Sequence, residues 1–420
     1  MTDWSHLQDI LGTESQHLRD KLVGIAVCAS VAAIEIHRVA RGLMRHGARV
    51  QIFMTEAATE LVSPTSLSWC TGRPVLEKLT ARCEHLEYFG EHGTADLLLV
   101  APVTANTLAK MSVGLDDNLV TTCITTALGS QIPILCAPGM HAPMMLNPAV
   151  VRNLRTVEEY GVRILPSTLA EGKQKMMSTD QIVAEVVREL AGKELEGRRV
   201  LITGGPTREF LDPARCLTNP SSGLTACLLA EEAHRRGAEV VMVYGPARIE
   251  PPSWISTVRV QSAAEMLEAV QRSIVASEPD VVVAAAAVCD FAPEEYQAQK
   301  RPTSQGGWKL ALRPTPKVIA WIRENTTSTL LVAFKAASSS DDQQLLQALA
   351  PYLTEERADI VVGNSVSEPG LGFDAARNRY LVCRPDKEPL VIGPDSKKRL
   401  SRFLWNEISL ALVDRKSASS

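Results

Sequence analysis

Short apolar runs alternate with amphipathic stretches along the whole chain, and this alternation limits the possible folds more than any other feature. The runs of the first half are "LVGIAVCA", "ARVQIFMT", "ADLLLVAP", "IPILCAP" and "VRILPS". The second half starts again with "RVLITGG", "EVVMVYGP", "DVVVAAAAVCDF", "TLLVAFKAA" and "ADIVVGNSV". Apolar strands joined by amphipathic helices are typical of parallel sheets that carry helices on both faces. The pattern therefore predicts an α/β fold with two sheets.

The restart near the middle of the chain predicts two doubly wound parallel-sheet, Rossmann-like domains, because 420 residues exceed what one compact core usually holds. We expect a short helical N-terminal extension at 1–20, a first domain at 21–192, a charged linker at 193–198 and a second domain at 199–420. The second domain should end in a hairpin ("RNRYLVCR", "EPLVIGP") and in an amphipathic helix, "SKKRLSRFLWNEISLALV", whose apolar face belongs to the core.

Composition argues against several classes of partner. A net charge of −4 gives no support for binding to nucleic acid or to an anionic membrane. No apolar run reaches the roughly 18 residues of a membrane span, and the polar start does not resemble a secretory signal, so we expect a cytoplasmic protein. The nine cysteines form no CxxC pair and no His/Cys cluster, which predicts reduced thiols and no metal-ligating residues.

Ligands of open α/β sheets bind beyond the carboxyl ends of the strands, where helix N-termini present free N–H groups. Small and polar residues follow three predicted strands of the first domain in this way. Helix capping alone would explain each of them, but together they predict a phosphate-bearing cofactor. The candidate cofactor-binding residues are Ala29, Ser30, Thr55, Thr104, Ala105, Asn106 and Thr107.

Two histidines of the first domain are candidates for chemistry. His85, in "RCEHLEYF", has the side chain for a general base near neutral pH, although a single histidine is more often an ordinary polar surface residue. His141, in "APGMHAPMM", follows a strand end in a loop shaped by proline and glycine. From the residues alone, both interpretations of His85 stay open.

Five motifs in order, "SVAAIE", "MTEAA", "EHLEY", "APVTANTLAKMSVGLDDNLVTT" and "PGMHAPM", resemble the flavin-dependent cysteine decarboxylase family. The match covers about residues 20–190. More narrowly, it resembles the decarboxylase half of the bifunctional coenzyme A biosynthesis family, phosphopantothenoylcysteine decarboxylase/phosphopantothenate–cysteine ligase, in its archaeal-type variant. The resemblance implies FMN bound by the residues named above, His85 as catalytic base, and oxidation of the substrate's cysteine side chain before CO₂ leaves.

The first domain departs from many members of that family at two places. His141 stands where many members have an asparagine that binds the substrate carboxylate, so the resemblance implies substrate binding by His141 and Met144. The segment "LAEGKQKMMS" has no cysteine where many members have one that donates a proton. We expect Lys173 to be the proton donor instead, and Lys175 to bind the phosphorylated substrate.

The second domain resembles the ligase half of the same family, over about residues 198–410. The motifs are "ITGGPTREFLDPARCLTNPSSG", "AAAAVCDF", "LRPTPKVIAWI", "LVAFKA" and "GNSVSEPGLGF". The resemblance implies that CTP, with Mg²⁺, activates the carboxylate of 4′-phosphopantothenate for attack by the amine of cysteine. Asn219 would hold the acyl-nucleotide; without the resemblance, Asn219 reads as a turn residue and Asp290 as a helix cap. The implied nucleotide-binding residues are Gly204, Gly205, Ala284, Ala285, Ala286, Asp290, Lys300, Pro316, Lys317, Val318, Ile319 and Phe334.

The second domain has fewer cations than many ligases of this family. The chain reads "SSGLTA" where many members read "SSGKMG", and "APYLTEERAD" leaves Arg357 as the cation near the triphosphate, with Lys335 as a candidate replacement. Two alternatives therefore stand beside the bifunctional enzyme: a decarboxylase with an inactive ligase-like domain, and a flavoprotein-derived regulatory or binding subunit. The resemblance also implies a homo-oligomer, a dodecamer built from trimers of decarboxylase domains and dimers of ligase domains.

Overall fold

The computed structural model describes residues 7, 9–170, 173–339, 341–365, 367–368, 370–385 and 387–419, with the backbone alone at 168–170, 173–174, 305 and 416–419. The chain divides into two compact units, unit 1 (Met1–Gly192) and unit 2 (Lys193–Ser420). None of the described helices is both long enough and apolar enough to cross a membrane.

Unit 1 is built on a five-stranded sheet whose strands are all parallel. Its strands, including a separate antiparallel hairpin of β6 and β7, are β1 (Leu22–Val27), β2 (Arg49–Met54), β3 (Leu97–Val103), β4 (Ile134–Pro138), β5 (Arg163–Ile164), β6 (Thr168–Ala170) and β7 (Lys173–Lys175). The strand order is β2-β1-β3-β4-β5. The order reverses between β1 and β3, and this switch point is where doubly wound folds bind their ligands.

The helices of unit 1 cover both faces of the sheet. After a 3₁₀ turn at Val31–Glu35 they are α1 (Ile36–Arg45), α2 (Glu56–Thr59), α3 (Pro64–Thr71), α4 (Glu84–Phe89), α5 (Ala105–Val113), α6 (Leu119–Gly129), α7 (Ala142–Met145), α8 (Pro148–Glu159) and α9 (Thr179–Leu190). All residues of β1 and β3 are buried, as expected for strands enclosed by helices on both sides.

The N-terminal segment of unit 1 differs in part from the expected helical extension. Leu7 is helical, residues 9–20 form successive turns, and residues 1–6 and 8 lie outside the described residues. These turns nonetheless belong to the fold, because Leu18 is fully buried in the core beneath α1. Two helices follow β3, because Gly114 caps α5 and ends it before α6 begins.

Unit 2 contains an eight-stranded sheet of order β12-β11-β8-β13-β16-β17-β18-β19. The strands of the unit are β8 (Arg199–Gly204), β9 (Arg208–Asp212), β10 (Arg215–Thr218), β11 (Glu239–Tyr244), β12 (Ser256–Arg259), β13 (Val281–Ala284), β14 (Phe291–Pro293), β15 (Leu312–Pro314), β16 (Leu330–Ala337), β17 (Ile360–Ser365), β18 (Arg377–Cys383) and β19 (Leu390–Ser396). Six neighbouring strands are parallel, and the predicted terminal hairpin adds β18 and β19 in antiparallel sense.

The helices of unit 2 are α10 (Leu224–Arg235), α11 (Ala263–Ser277), α12 (Val318–Asn325), α13 (Asp342–Thr354) and α14 (Lys397–Ser419), with a 3₁₀ turn at Thr303–Gln305. The final helix, α14, packs its apolar face into the core as predicted. Trp405 is fully buried there, and its indole N–H donates to the carbonyl of Leu229 on α10 at 2.9 Å.

The predicted fold class is confirmed, but the two sheets are connected differently. Counted within each unit, the strand order is 2-1-3-4-5 in unit 1 and 3-2-1-4-5-6 in the parallel part of unit 2. The two halves are therefore distinct doubly wound folds and not copies of one unit. The sequence interpretation missed the hairpin of β9 and β10, which occupies the polar segment after the glycine turn, and the small β14–β15 pair.

Candidate active sites

Ser30 connects two strand ends at the switch point of unit 1. Its hydroxyl accepts a hydrogen bond from the Ala32 N–H at 3.4 Å, capping the 3₁₀ turn after β1, and donates to the Gly139 carbonyl after β4 at 2.8 Å. A side chain at position 139 would approach Pro102 to 2.5 Å, so only glycine fits there. The ends of β1, β3 and β4 thus converge at Ser30, with the half-buried Ala29 beside it.

Thr104 begins α5 at the end of β3. Its hydroxyl oxygen accepts from the Thr107 N–H at 3.3 Å, and the two threonine hydroxyls lie 3.3 Å apart. Thr107 is buried, Ala105 is half-buried and Asn106 is exposed. Burial raises the pKa of the neighbouring Cys28 thiol to about 11, so this cysteine stays protonated and is not a nucleophile at neutral pH. The predicted polar cluster therefore lies at the carboxyl edge of the sheet.

Two of the predicted site residues carry buried polar atoms that have no hydrogen-bond partner among the described residues: the hydroxyl oxygen of Thr55, after β2, and Nδ1 of His85, on α4. Unpaired buried polar atoms are rare in folded proteins because each one loses its hydrogen bond to water. Both atoms would be satisfied by a polar ligand. The residues present therefore fit a bound group rich in hydrogen-bonding atoms, as the predicted cofactor is.

His85 is held on a short helix with an unusual start. Cys83, the residue before α4, has a φ of 54°, a conformation that is uncommon outside glycine. The buried carboxylate of Glu84 accepts from the Thr80 N–H at 2.8 Å and from the Thr80 hydroxyl, which anchors the helix. His85 itself is half-buried, so its ring is both positioned and accessible.

The predicted substrate-binding residues of unit 1 lie on exposed segments. His141 precedes α7 and Met144 lies within it, and both side chains are exposed. Lys175 is exposed on β7, in the hairpin with β6 that contains the predicted cationic flap. Lys173 is on the same strand, but its side chain, like residues 171 and 172, lies outside the described residues.

Unit 2 contains a cavity of about 510 Å³ at the carboxyl ends of its parallel strands. Thr203 of β8, Ala284 of β13, Phe334 of β16 and Asn364 of β17 line it. Nine of the twelve predicted nucleotide-binding residues lie along its wall together with Asn219, namely Ala284, Ala285, Ala286, Asp290, Pro316, Lys317, Val318, Ile319 and Phe334. The residues implied by the resemblance thus lie together at a concave site beyond the strand ends, and the role of each residue stays a prediction.

Three predicted nucleotide-site residues and one predicted cation are not on the cavity wall. At Gly204, an added side-chain carbon would collide with Ala226. At Gly205, whose φ is +71°, it would lie 2.7 Å from the Gly245 carbonyl oxygen. Close packing around the backbone therefore explains why glycine stands at both positions. Lys300 and Arg357 are exposed, and Glu356, next to Arg357, lines the cavity instead.

Asn219 is oriented by two backbone carbonyls whose residues also line the cavity. Its side-chain amide donates to the carbonyls of Ala287 at 3.1 Å and Val288 at 3.2 Å. Two such bonds hold the amide in one orientation, with its oxygen in a defined direction. A preorganised amide is what stabilisation of a reactive acyl group requires.

The cations of the cavity are arranged differently from the expectation. Lys317 pairs with Asp290 at 2.8 Å, so these two predicted residues neutralise each other. The side-chain hydrogen bond from Lys317 to Asp290 raises the pKa of that lysine. Lys335, the proposed replacement cation, lies over the Tyr352 ring with its ammonium 5.4 Å from the ring centre. It remains available to an anionic ligand.

Sequence reasoning missed four buried residues that line the same cavity: Asn364, Asn378, Tyr380 and Lys397. Burial lowers the pKa of Lys397 to about 8, and its ammonium donates to the carbonyls of Gly372 at 2.8 Å and Phe373 at 3.1 Å. Three of these residues belong to the terminal hairpin and α14, which reach the cavity only through the order of strands in the sheet. No local motif could have indicated them.

Comparison with known proteins identifies both halves. Residues 11–191 match the Flavoprotein family, and residues 195–411 match the family described as DNA/pantothenate metabolism flavoprotein C-terminal domain. The coenzyme A biosynthesis bifunctional protein CoaBC of Thermococcus kodakarensis is 38% identical over 412 residues, covering 97% of this chain and 99% of that protein. The CoaBC protein of Bacillus subtilis is 32% identical over 407 residues, covering 93% and 97%.

Among solved structures, the C-terminal domain of a coenzyme A biosynthesis bifunctional protein CoaBC is 32% identical and covers 53% of this chain and 100% of its own, with a TM-score of 0.44. The two domain matches occur in the order seen in the full-length relatives, and the relatives are matched almost from end to end. The chain therefore belongs to the CoaBC family of bifunctional coenzyme A biosynthesis enzymes, with an N-terminal flavoprotein decarboxylase half and a C-terminal ligase half.

Proposed function

We propose that the chain converts 4′-phosphopantothenate and cysteine into 4′-phosphopantetheine, using CTP in unit 2 and then decarboxylating phosphopantothenoylcysteine in unit 1. The observation that carries the proposal is the cavity of unit 2, in which Asn219 is held beside a pair of carbonyls at the carboxyl edge of the sheet. Such a cavity suits a nucleotide and an acyl group together.

In the ligation, the substrate carboxylate attacks the α-phosphorus of CTP and pyrophosphate leaves. The amine of cysteine then attacks the acyl carbon, the amide forms and CMP leaves. Asn219 would hold the acyl-nucleotide between these two steps, with the walls at Ala284–Ala286 and Pro316–Ile319 around the nucleotide. Mg²⁺ would neutralise phosphate charge; none of the described residues form a cluster of three or more metal-ligating side chains, so the phosphates would be its main ligands.

For the decarboxylation, Ser30, Thr55 and the Thr104–Thr107 segment would hold FMN at the switch point. FMN when bound would accept two electrons from the cysteine side chain before CO₂ leaves and return them afterwards, so that the product is a saturated thiol. His85 would take a proton from the substrate, helped by its half-buried position. His141 and Met144 would contact the substrate, Lys175 its phosphate, and Lys173 would return a proton. The unpaired atoms of Thr55 and His85 support this assignment.

We also propose the domain limits 21–192 and 199–420, a cytoplasmic location and a homo-oligomer with trimers of unit 1 and dimers of unit 2. Exposed apolar side chains on unit 1, among them Val31 at 73% and Trp69 at 66% exposure, support self-association. The nine cysteines are free thiols, as a reducing compartment requires. Light scattering of the purified chain, of mass 45.6 kDa, tests the oligomer directly.

The decisive experiment is one incubation of the purified chain with 4′-phosphopantothenate, cysteine, CTP and Mg²⁺, followed by mass spectrometry. We expect 4′-phosphopantetheine and an equal amount of CMP. Decarboxylation of supplied phosphopantothenoylcysteine without any ligation would favour the alternative with an inactive ligase-like domain. The ion pair of Lys317 with Asp290 is compatible with that alternative, because it neutralises a cation of the cavity. If neither ligation nor decarboxylation is detected in an FMN-loaded protein, the result would favour a regulatory or binding subunit.

His85→Gln separates the two activities. Loss of a general base costs roughly 10²- to 10⁴-fold in rate, so we expect decarboxylation to fall by at least a hundredfold while CMP release stays unchanged. The matched control is His92→Gln, since His92 is in the same region of unit 1 and has no role in the proposal. Full decarboxylase activity of His85→Gln would contradict the role given to this histidine.

A further inference from the structure

Tyr380 carries a buried hydroxyl that no described residue binds. The side chain, on β18, is 1% exposed and lines the cavity of unit 2, and its hydroxyl has no hydrogen-bond partner among the described residues. Thr225 and Asn378 lie beside the hydroxyl without completing a hydrogen bond. Burial raises the pKa of Tyr380 to about 12, so the hydroxyl remains a donor at neutral pH. An unpaired buried hydroxyl destabilises a fold unless a ligand satisfies it.

Lys397 brings a positive charge to the same cavity. It is 2% exposed and lines the wall, and two of the three N–H donors of its ammonium bind the carbonyls of Gly372 and Phe373. Among the described residues, no carboxylate lies within ion-pair distance of this ammonium, and Asp374 acts on it only from further away, while pairing with Arg248 at 2.6 Å. A buried ammonium without a counter-ion is costly, and an anionic ligand would compensate it.

The first turn of α10 completes the arrangement. Gly223, Leu224 and Thr225 line the cavity, and the twelve-residue helix has no acidic side chain in its first turn. Its free N–H groups and the positive end of its dipole are therefore open to an anionic ligand, because no acidic side chain of the first turn competes for them. The Ser222 hydroxyl, immediately before this turn, donates to the Phe373 carbonyl at 3.1 Å, the same carbonyl that Lys397 binds. Lys397 and the start of α10 are thus connected through one backbone group.

We propose that Tyr380 and Lys397, with the first turn of α10, bind the phosphate oxygens of a ligand in the ligase cavity. This inference rests on the proposed ligase function, because it assumes a phosphorylated ligand there. It supplies a cation that the motif comparison lacks, since Lys317 is neutralised by Asp290. Two sources share this chemistry: the triphosphate of CTP and the phosphate of 4′-phosphopantothenate.

The test is calorimetric titration of the full chain with three separate probes: CTP, 4′-phosphopantothenate and inorganic pyrophosphate. Tyr380→Phe removes only the unpaired hydroxyl, so we expect equal or higher thermal stability together with about tenfold weaker binding of the phosphate-bearing ligand. Lys397→Met should weaken binding further, and Lys397→Arg should restore part of it by returning the charge. Tyr296→Phe, at an exposed tyrosine away from the cavity, is the control and should change neither quantity.

The three probes identify the source of the phosphate. Weakened binding of CTP and pyrophosphate assigns the subsite to the triphosphate, and weakened binding of 4′-phosphopantothenate alone assigns it to the substrate. Unchanged affinity of a folded Tyr380→Phe for all three probes overturns the inference, even if Lys397→Met fails to fold. If the wild-type chain binds none of the probes, the proposed ligase function itself fails, and the two failures are thereby distinguished.

Discussion

At the scale of single residues, Asp212 shows how one buried carboxylate organises a loop. It is fully buried at the end of β9, where it accepts hydrogen bonds from the Ala214 N–H at 2.8 Å and from the guanidinium of Arg215. Arg215 in turn lies over the Trp308 ring at 4.6 Å and donates to the Arg301 carbonyl at 2.8 Å. The segment that carries Lys300 is therefore held against the β9–β10 hairpin by one charge pair and one aromatic ring.

The side-chain hydrogen bond from Arg215 lowers the pKa of Asp212 to about 2, from an ordinary value of 3.8. Because the folded-state pKa is depressed, the stabilisation is complete above the unfolded-state value and is lost as the pH falls towards 2. We expect Asp212→Asn to lower the Tm of unit 2 by roughly 5 °C at pH 7, and this difference from wild type to shrink between pH 4 and pH 2. Calorimetry across that pH range is the measurement.

The matched control is Asp374→Asn, since Asp374 also pairs with an arginine, Arg248, but both side chains are more than half exposed. Exposed pairs contribute roughly 0–1 kcal/mol, so its Tm should stay near that of wild type. A deficit of Asp212→Asn that persists unchanged at pH 2 would show that the carboxylate acts through packing and not through its charge.

At the scale of elements, the start of α10 depends on a glycine for two separate reasons. Gly223, its N-cap residue, has a φ of +79°, and a side-chain atom placed there would overlap the hydroxyl of Tyr244. That hydroxyl donates to the Ile249 carbonyl at 2.7 Å, so Tyr244 cannot move aside without losing a hydrogen bond. The helix N-terminus that lines the cavity is thus positioned by strand β11 behind it.

We expect Gly223→Ala to destabilise unit 2 by about 2–4 kcal/mol, of which roughly 1 kcal/mol is backbone strain and the rest overpacking. Chemical denaturation measures this free energy. Gly197→Ala is the matched control, because Gly197 has a φ of +72° with no atom within 4 Å of the added carbon. It should show the strain alone, and equal losses in both variants would refute the contact with Tyr244.

At the scale of the whole molecule, the two units have separate cores, separate strand orders and separate candidate sites. We therefore expect each proposed reaction to take place within its own unit, with phosphopantothenoylcysteine passing between molecules through solution. A mixture of two variants, one defective in each unit, should then regain the complete conversion.

The mixture to prepare combines His85→Gln, which retains ligation, with Asn219→Ala, which retains decarboxylation. We expect 4′-phosphopantetheine from the mixture and none above background from either variant alone, measured by mass spectrometry. Supplied phosphopantothenoylcysteine should be converted by Asn219→Ala, which controls for folding. If that control succeeds and CMP is released but the mixture yields no product, the intermediate does not pass between molecules.

The alternation of apolar runs was sufficient to predict the fold class, the terminal hairpin and the polar residues at the carboxyl ends of the strands. These features follow from local periodicity, since burial on both faces leaves a continuous apolar run whatever the order of the strands. The resemblance, and not periodicity, indicated the nucleotide-binding residues, nine of which line the cavity together with Asn219. The β9–β10 hairpin was missed because its strands are short, and because polar residues such as Arg208 and Arg215 hide the alternation.

Other features depend on contacts between residues far apart in the chain, and no local pattern contains them. The pairing of β17 with β18 brings Tyr380 to the cavity, and α14 brings Lys397. The bond from Ser222 to the Phe373 carbonyl joins residues 151 positions apart, and an ion pair joins two predicted nucleotide-binding residues, Lys317 and Asp290. Periodicity reports which face of an element is buried, whereas strand order and side-chain pairing arise only when separate elements pack together.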